Sequence, residues 1–269
     1  MGYQVKKLSL GTRIWRYFII LSVGIYLILP LYAMLDFSTK PFGGGNQGRT
    51  LRAWKVIPTQ QDLLQSVFTS LALAALVMLL ILSVIVPTIV WVHLKLPKLR
   101  RTLELICLLP LATPAIVLVV GVAPIYRWIS INISESPITL AAVYSVLILP
   151  YTYRSVAASL SAVDIHTLAE AARTLGASTS RMLAQIILPT IRSGILSGAV
   201  ISIALVLGEF TISSLLNYKT LQPVIAQIGR ADGNVAVAVS LASLLFVFAL
   251  LIVIPNKPKQ KQVLDVDVA

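Results

Sequence analysis

Apolar positions along this chain come in long continuous runs, separated by short segments that carry Lys and Arg. The runs extend from about Trp15 to Leu35, Ser66 to Trp91, Leu103 to Ile125, Ile138 to Leu160, Ser193 to Leu216 and Val235 to Ile254. A helix needs about 20 apolar residues to cross the hydrocarbon core of a bilayer, and these six runs meet that demand. Strands of a membrane barrel would alternate apolar and polar residues in short segments instead. The pattern predicts an all-α membrane protein with six transmembrane helices. No small-residue cleavage site follows the first run, so it reads as a retained helix and not as a signal peptide.

Composition supports the bilayer as solvent. Hydrophobic residues make up 57% of the 269 residues and charged ones 12%, where a soluble domain carries about 25% charged residues. The mean hydropathy is +0.89. The net charge of +12 is not gathered on one polar module, as a nucleic-acid surface requires, so no nucleic-acid partner is expected. The basic residues fall between runs, as topology signals do. With the N-terminus inside, the inner segments hold Lys6, Lys7, Arg13, Arg16, Lys95, Lys98, Arg100, Arg101, Arg173, Arg181, Arg192 and three C-terminal lysines. The outer segments hold Lys40, Arg49, Arg52, Lys55, Arg127, Lys219 and Arg230, about half as many. This bias predicts an N-in, C-in topology. The first outer loop is an exception with four basic residues, and its Gly43-Gly44-Gly45 run, Pro41 and Pro58 mark it as irregular.

The longest segment between runs, Ser161 to Arg192, falls on the cytoplasmic side and has helical composition interrupted by one glycine. Asp164 is placed to cap a first helix. Gly176 can take the left-handed conformation that ends it. Ser178 can start a second helix, which Pro189 is expected to close. The prediction is a helical hairpin on the cytoplasmic face, between spans 4 and 5.

From Glu170 the chain reads Glu-Ala-Ala, then Gly176, Ile186 and Leu188-Pro189. In spacing and position this resembles the EAA signature of type I ABC importer permeases. The wider resemblance covers about Leu64 to Ile254 and includes LLPLATPAIVLVVG with Pro110 and Pro114. It implies a coupling loop, with Glu170, Ala171, Ala172, Gly176, Ile186, Leu188 and Pro189 engaging a separate ATPase. On physical grounds the small Ala171 and Ala172 permit close approach of another surface, while Ile186 and Leu188 anchor the second helix on apolar surface. Glu170 offers a carboxylate to a partner. The implied partners are ABC ATPase subunits, a second permease in a heterodimer, an extracytoplasmic solute-binding protein and membrane lipid. The implied location is the bacterial inner membrane. The division is 1–63 for the tail, first helix and outer loop, 64–254 for the permease core and 255–269 for a cytoplasmic tail.

Glu209, in Gly208-Glu209-Phe210, is an ionisable residue inside the fifth run. Such residues are costly at that depth and are read as functional by default. Glu209 either lines the translocation path or fixes helix packing. The segment GEFTISSLL resembles the polyamine, iron(III), sulfate and molybdate branch, and an acid facing the path suits a polyamine cargo. Iron(III), sulfate, molybdate and phosphonate-type solutes are the alternatives. Gly194 and Gly198 form a small-xxx-small pair for close packing. Pro87, Pro110, Pro114 and Pro150 kink or end helices. Arg154 falls inside the fourth run and reads as snorkelling toward the cytoplasm. Cys107 reads as a small core hydrophobe. His93 and His166 lack metal-ligand spacing. No phosphate loop and no catalytic constellation stands out, so neither catalytic residues nor a cofactor are expected, and ATP hydrolysis falls to another chain. The competing readings, a self-sufficient secondary transporter or channel and a membrane enzyme, lack the matching halves or the polar cluster they need.

Overall fold

The computed structural model describes residues 10–41 and 48–253. The glycine run at 43–45, the terminal lysines and the tail 255–269 lie outside the described residues. All regular elements among those described are helical, and six helices are long and apolar enough to cross a membrane. The chain divides into two compact units, Met1–Gln61 with Ile225–Leu244, and Asp62–Val224 with Leu245–Ala269.

The first unit carries α1 (Leu10–Ser38) and the short α2 (Arg52–Val56). Its polar end accounts for the basic residues of the first loop. Lys40 and Arg49 both pair with Asp36, and Arg52 pairs with Asp232 at 2.8 Å. Asn234 donates from Nδ2 to the Phe37 and Lys40 carbonyls, and Trp54 Nε1 donates to Ser38 Oγ. Three of the loop's four basic residues are thus compensated locally, and the segment after the glycines is tied down.

The second unit begins with α3 (Gln61–Leu80), which passes through a widened π turn, Ile81–Ile85, into α4 (Val86–Lys95). Pro87 sits at the start of α4. Proline lacks an N–H and its ring crowds the carbonyl four residues back, and a single π turn accommodates both effects without ending the helix. The third apolar run is not one helix. It forms α5 (Arg100–Ala112) and α6 (Ala115–Asn132), and α6 alone meets the length of a span. The cause is Pro114, which forces the residue before it out of helical geometry: Thr113 is extended, with φ −104° and ψ 119°. Pro110 and Pro150, by contrast, lie inside α5 and α7.

The fourth run forms α7 (Ala141–Ser161), followed by α8 (Ile165–Thr174), α9 (Thr179–Met182), a π turn at Leu183–Ile187 and α10 (Leu188–Thr190). The fifth run forms α11 (Arg192–Gly208) and, after a break, α12 (Thr211–Leu215). Then come α13 (Leu221–Ala231) and α14 (Gly233–Val253), most of whose residues belong to the first unit. Asn217, in the turn after α12, has φ +60°, a conformation that asparagine tolerates better than most residues.

α7 and α11 lie in close contact. Ser155 Oγ donates to the Gly194 carbonyl at 2.8 Å. A Cβ on Gly194 would lie 2.2 Å from Ser159 Oγ and 2.6 Å from the Ser155 carbonyl oxygen, whereas one on Gly198 would meet nothing nearer than 3.6 Å. The small-xxx-small pair is therefore asymmetric. Gly194→Ala is expected to destabilise the detergent-solubilised protein by about 1–3 kcal/mol, the usual penalty of overpacking. Gly198→Ala should leave its melting temperature nearly unchanged. Equal melting temperatures for the two variants would refute the asymmetry.

Candidate functional site

The hairpin is built from local hydrogen-bond chemistry. Asp164 caps α8: its Oδ1 accepts from the Thr167 amide at 3.1 Å and its Oδ2 from Thr167 Oγ1 at 2.7 Å. These bonds hold its carboxyl below the usual carboxylate range. A depressed folded-state value means that the cap is at full strength above the ordinary carboxylate value and is lost as pH falls through the lowered one. α8 ends in a Schellman motif, in which the Gly176 amide donates to the Arg173 carbonyl and the Ala177 amide to the Ala172 carbonyl. Gly176 has φ +78°. Ser178 then caps α9, its Oγ accepting from the Arg181 amide.

Pro189 does not close the second arm where expected. It lies in the first turn of α10, the π turn before it absorbs its ring, and only Ile191 separates α10 from α11. The second arm is therefore nearly continuous with the fifth span.

The inner face of the hairpin consists of Ile165, Ala169, Ala172, Met182 and Ile187, all buried in the main apolar core. Ile186 and Leu188 are half-buried against it. Ala172, read from sequence as a surface for a partner, is only 3% exposed; its small side chain serves the packing of the hairpin itself. Glu170 and Ala171 are exposed. Leu175 is 88% exposed at the tip. Sequence reasoning missed it because helical spacing groups Leu175 with the buried stripe Leu168–Ala172, whereas the helix ends there and leaves it projecting. A large apolar side chain directly before a helix-ending glycine was the available signal.

At the foot of the hairpin a cavity of about 260 Å³ is lined by His93, Arg100, Ser161, Asp164 and His166, which brings together two histidines that looked isolated. His93 Nδ1 donates to the Ile89 carbonyl, and Nε2 has no partner. Among the described residues no group of three His, Cys, Asp or Glu is placed to hold a metal. Cys107 is buried in the apolar core.

Glu209 marks the break between α11 and α12. It is half-buried and extended, and its side chain turns onto the start of α12. Its Oε1 accepts from the Ile212 amide at 2.7 Å, and its Oε2 accepts from Tyr144 Oη at 2.6 Å, with longer bonds from the Ser213 amide and Oγ. Tyr144, on α7, is fully buried. The carboxylate thus satisfies the orphan donors of a helix N-terminus and joins that terminus to α7. Two further open cavities, of about 520 and 310 Å³, share Glu135, Asn217 and Tyr218 near the α6–α7 connection.

Residues 90–256 match the family described as the inner membrane component of binding-protein-dependent transport systems, and the chain belongs to that family. It is therefore the transmembrane permease component of an ABC importer, a multi-pass inner-membrane protein. Membership implies association, in general terms, with an ABC ATPase, a partner permease and a binding protein.

The hydrogen bonds around Glu209 set an expectation. Glu209→Gln replaces an all-acceptor carboxylate with a group that has a single acceptor oxygen and faces Tyr144 Oη and two amides. It should lower stability by about 1.5–3 kcal/mol, the range for hydrogen bonds to a charged group. Thermal melting of the purified permease checks this, and an unchanged melting temperature would count against a structural role for the carboxylate.

Proposed function

We propose that the hairpin from Asp164 to Thr190 is the coupling element through which a separate ATPase drives this permease, and that it lies on the cytoplasmic face, with both chain ends inside. The observation that carries the reading is the tip. A rigid, doubly capped hairpin presents an uncommitted carboxylate at Glu170, a small side chain at Ala171 and a fully projecting Leu175. Gly176, at φ +78°, sets the reversal. Ala172, Ile186 and Leu188 act from inside, by holding the two arms together, and Pro189, itself exposed, lies in α10 where the second arm passes toward the fifth span. Leu175 is the apolar anchor and Glu170 the polar one, and both fit a cleft on an ATPase surface. The working assembly has two such permeases, related but different chains, with a binding protein on the opposite face.

The cargo read from sequence was a polyamine-like cation, on the strength of Glu209. With the Glu209 carboxylate engaged by Tyr144 and the start of α12, that reading keeps only its sequence basis. Uptake of labelled putrescine and spermidine by the whole complex, in competition with sulfate, molybdate, phosphonate and iron(III), tests it.

Burying one leucine contributes about 1.5–3 kcal/mol, which is at least tenfold in affinity. Leu175→Asp is therefore expected to reduce the ATPase retained on the purified permease by about tenfold or more. Glu170→Lys should do so too, with uptake lost and the permease still folded by thermal melting. Full ATPase retention and uptake in both variants would remove the coupling role.

A further inference from the structure

Among the charged side chains of the candidate spans, Glu209 and Arg154 lie furthest from a span end. The fold deals with them differently. Glu209 is taken up by hydrogen bonds. Arg154 is exposed on α7 and makes no hydrogen bond or ion pair among the described residues. It sits two turns before the end of α7 at Ser161, about 10 Å along the axis.

The other flanks of α7 are occupied. Thr152 and Ser155 face Gly198 and Gly194 of α11. Tyr153 lies beside His93 of α4, with ring centroids 6.3 Å apart. Arg154 lies on the remaining flank, in a stripe at helical spacing made of Leu147, Tyr151, Arg154 and Ala158; Ser161, the next position, is already met by Arg100 of α5, whose Nη2 donates to its Oγ at 3.3 Å. Tyr151 is exposed, and its hydroxyl has no hydrogen-bond partner among the described residues. The exposed surface of α6 is more apolar, with Arg127 near its end as the charged residue. The exposed residues of α6 include Ile116, Val117, Val120 and Ile131.

A guanidinium stays protonated in any protein environment. An intramembrane charge almost always faces a bundle interior or a water-filled cavity, because the bilayer cannot solvate it. An unbonded hydroxyl beside it needs water as well. We propose that the Tyr151–Arg154–Ala158 stripe of α7 lines the aqueous translocation path and that Arg154 is its free cation, selecting a solute that bears a carboxylate or oxyanion. The guanidinium fork matches those groups bidentately. Together with the engaged Glu209, this favours the anionic candidates, sulfate, molybdate or phosphonate, over a polyamine. The inference rests on the chain being the permease that forms the path.

Two cysteines placed in a Cys107→Ser background test it in the assembled complex in nanodiscs. Tyr151→Cys is one helical turn from Arg154, and Val120→Cys, among the exposed apolar residues of α6, is the control. Each is treated with a sulfonate-bearing and a trimethylammonium-bearing methanethiosulfonate. Tyr151→Cys should react and Val120→Cys should not. The anionic reagent should react about tenfold faster than the cationic one, as expected for a unit charge one turn away at an intermediate dielectric. The preference should vanish with Arg154→Gln and persist with Arg154→Lys, which guards against a Gln variant that fails to assemble.

If Tyr151→Cys is silent to both reagents until the complex is denatured, the stripe faces lipid and the proposal falls. Equal rates with Arg154 present overturn the anion preference. Protection together with disulfide formation to the partner permease places the stripe in a subunit contact and overturns it too. A failure of the coupling reading would appear instead as ATPase retention after hairpin substitution and would leave this labelling pattern unchanged.

Discussion

Gly194 lets α11 lie against α7 so closely that the Ser155 hydroxyl reaches the Gly194 carbonyl at 2.8 Å and no Cβ fits between them. Much else in the second unit depends on that contact. The hairpin is the covalent connection between these two helices, leaving α7 at Ser161 and entering α11 at Arg192. Farther along the same pair, Tyr144 of α7 binds Glu209 at the end of α11. The pair is thus pinned at the Gly194 contact and again at the Tyr144–Glu209 bond. Between apolar helices in lipid there is little hydrophobic drive for association, and close approach of small residues is a main source of cohesion.

The hairpin bears a mechanical relation to this pair. Its second arm does not end at Pro189 but passes through a π turn and α10 to within one residue of α11. Under the proposed coupling, a displacement of Leu175 would travel along a nearly continuous helical path into the fifth span and reach the break at Glu209. The caps at Asp164 and Ser178 and the Schellman closure at Gly176 keep the hairpin from absorbing that displacement by fraying.

Local chemistry was legible in the sequence wherever one residue type has one dominant use. Asp164, Gly176 and Ser178 act as their side chains suggest, and six apolar runs became six candidate spans. Two kinds of feature were not legible. One is where a proline takes effect. Pro114 splits a run that counts as one span by hydropathy, because its action falls on the backbone of Thr113. Pro87 and Pro189 interrupt nothing, because a π turn precedes each. The other is which side of a short helix is inside. Ala171 and Ala172 are equivalent by composition, yet one is exposed and the other buried, a difference set by the direction in which α8 folds back on the core. Leu175 escaped periodicity for a different reason: α8 ends at Thr174 and leaves it projecting.

The two deep charges carry the same lesson about depth. Hydropathy finds both Glu209 and Arg154 as charges in apolar runs, and the sequence reads the first as functional and the second as snorkelling. What separates them is the supply of partners. A broken helix offers free amides, and Glu209 sits where α12 begins, so its charge is matched by donors the backbone needed to satisfy in any case. Arg154 lies within α7, where the carbonyls beside it are engaged along the helix, and the one that Pro150 leaves without an amide donor, that of Val146, is about two turns away. Its compensation has to come from outside the helix. A permease that must pass a hydrated solute has such a place, the water of its own path, and an unpaired guanidinium is tolerable where that water reaches it.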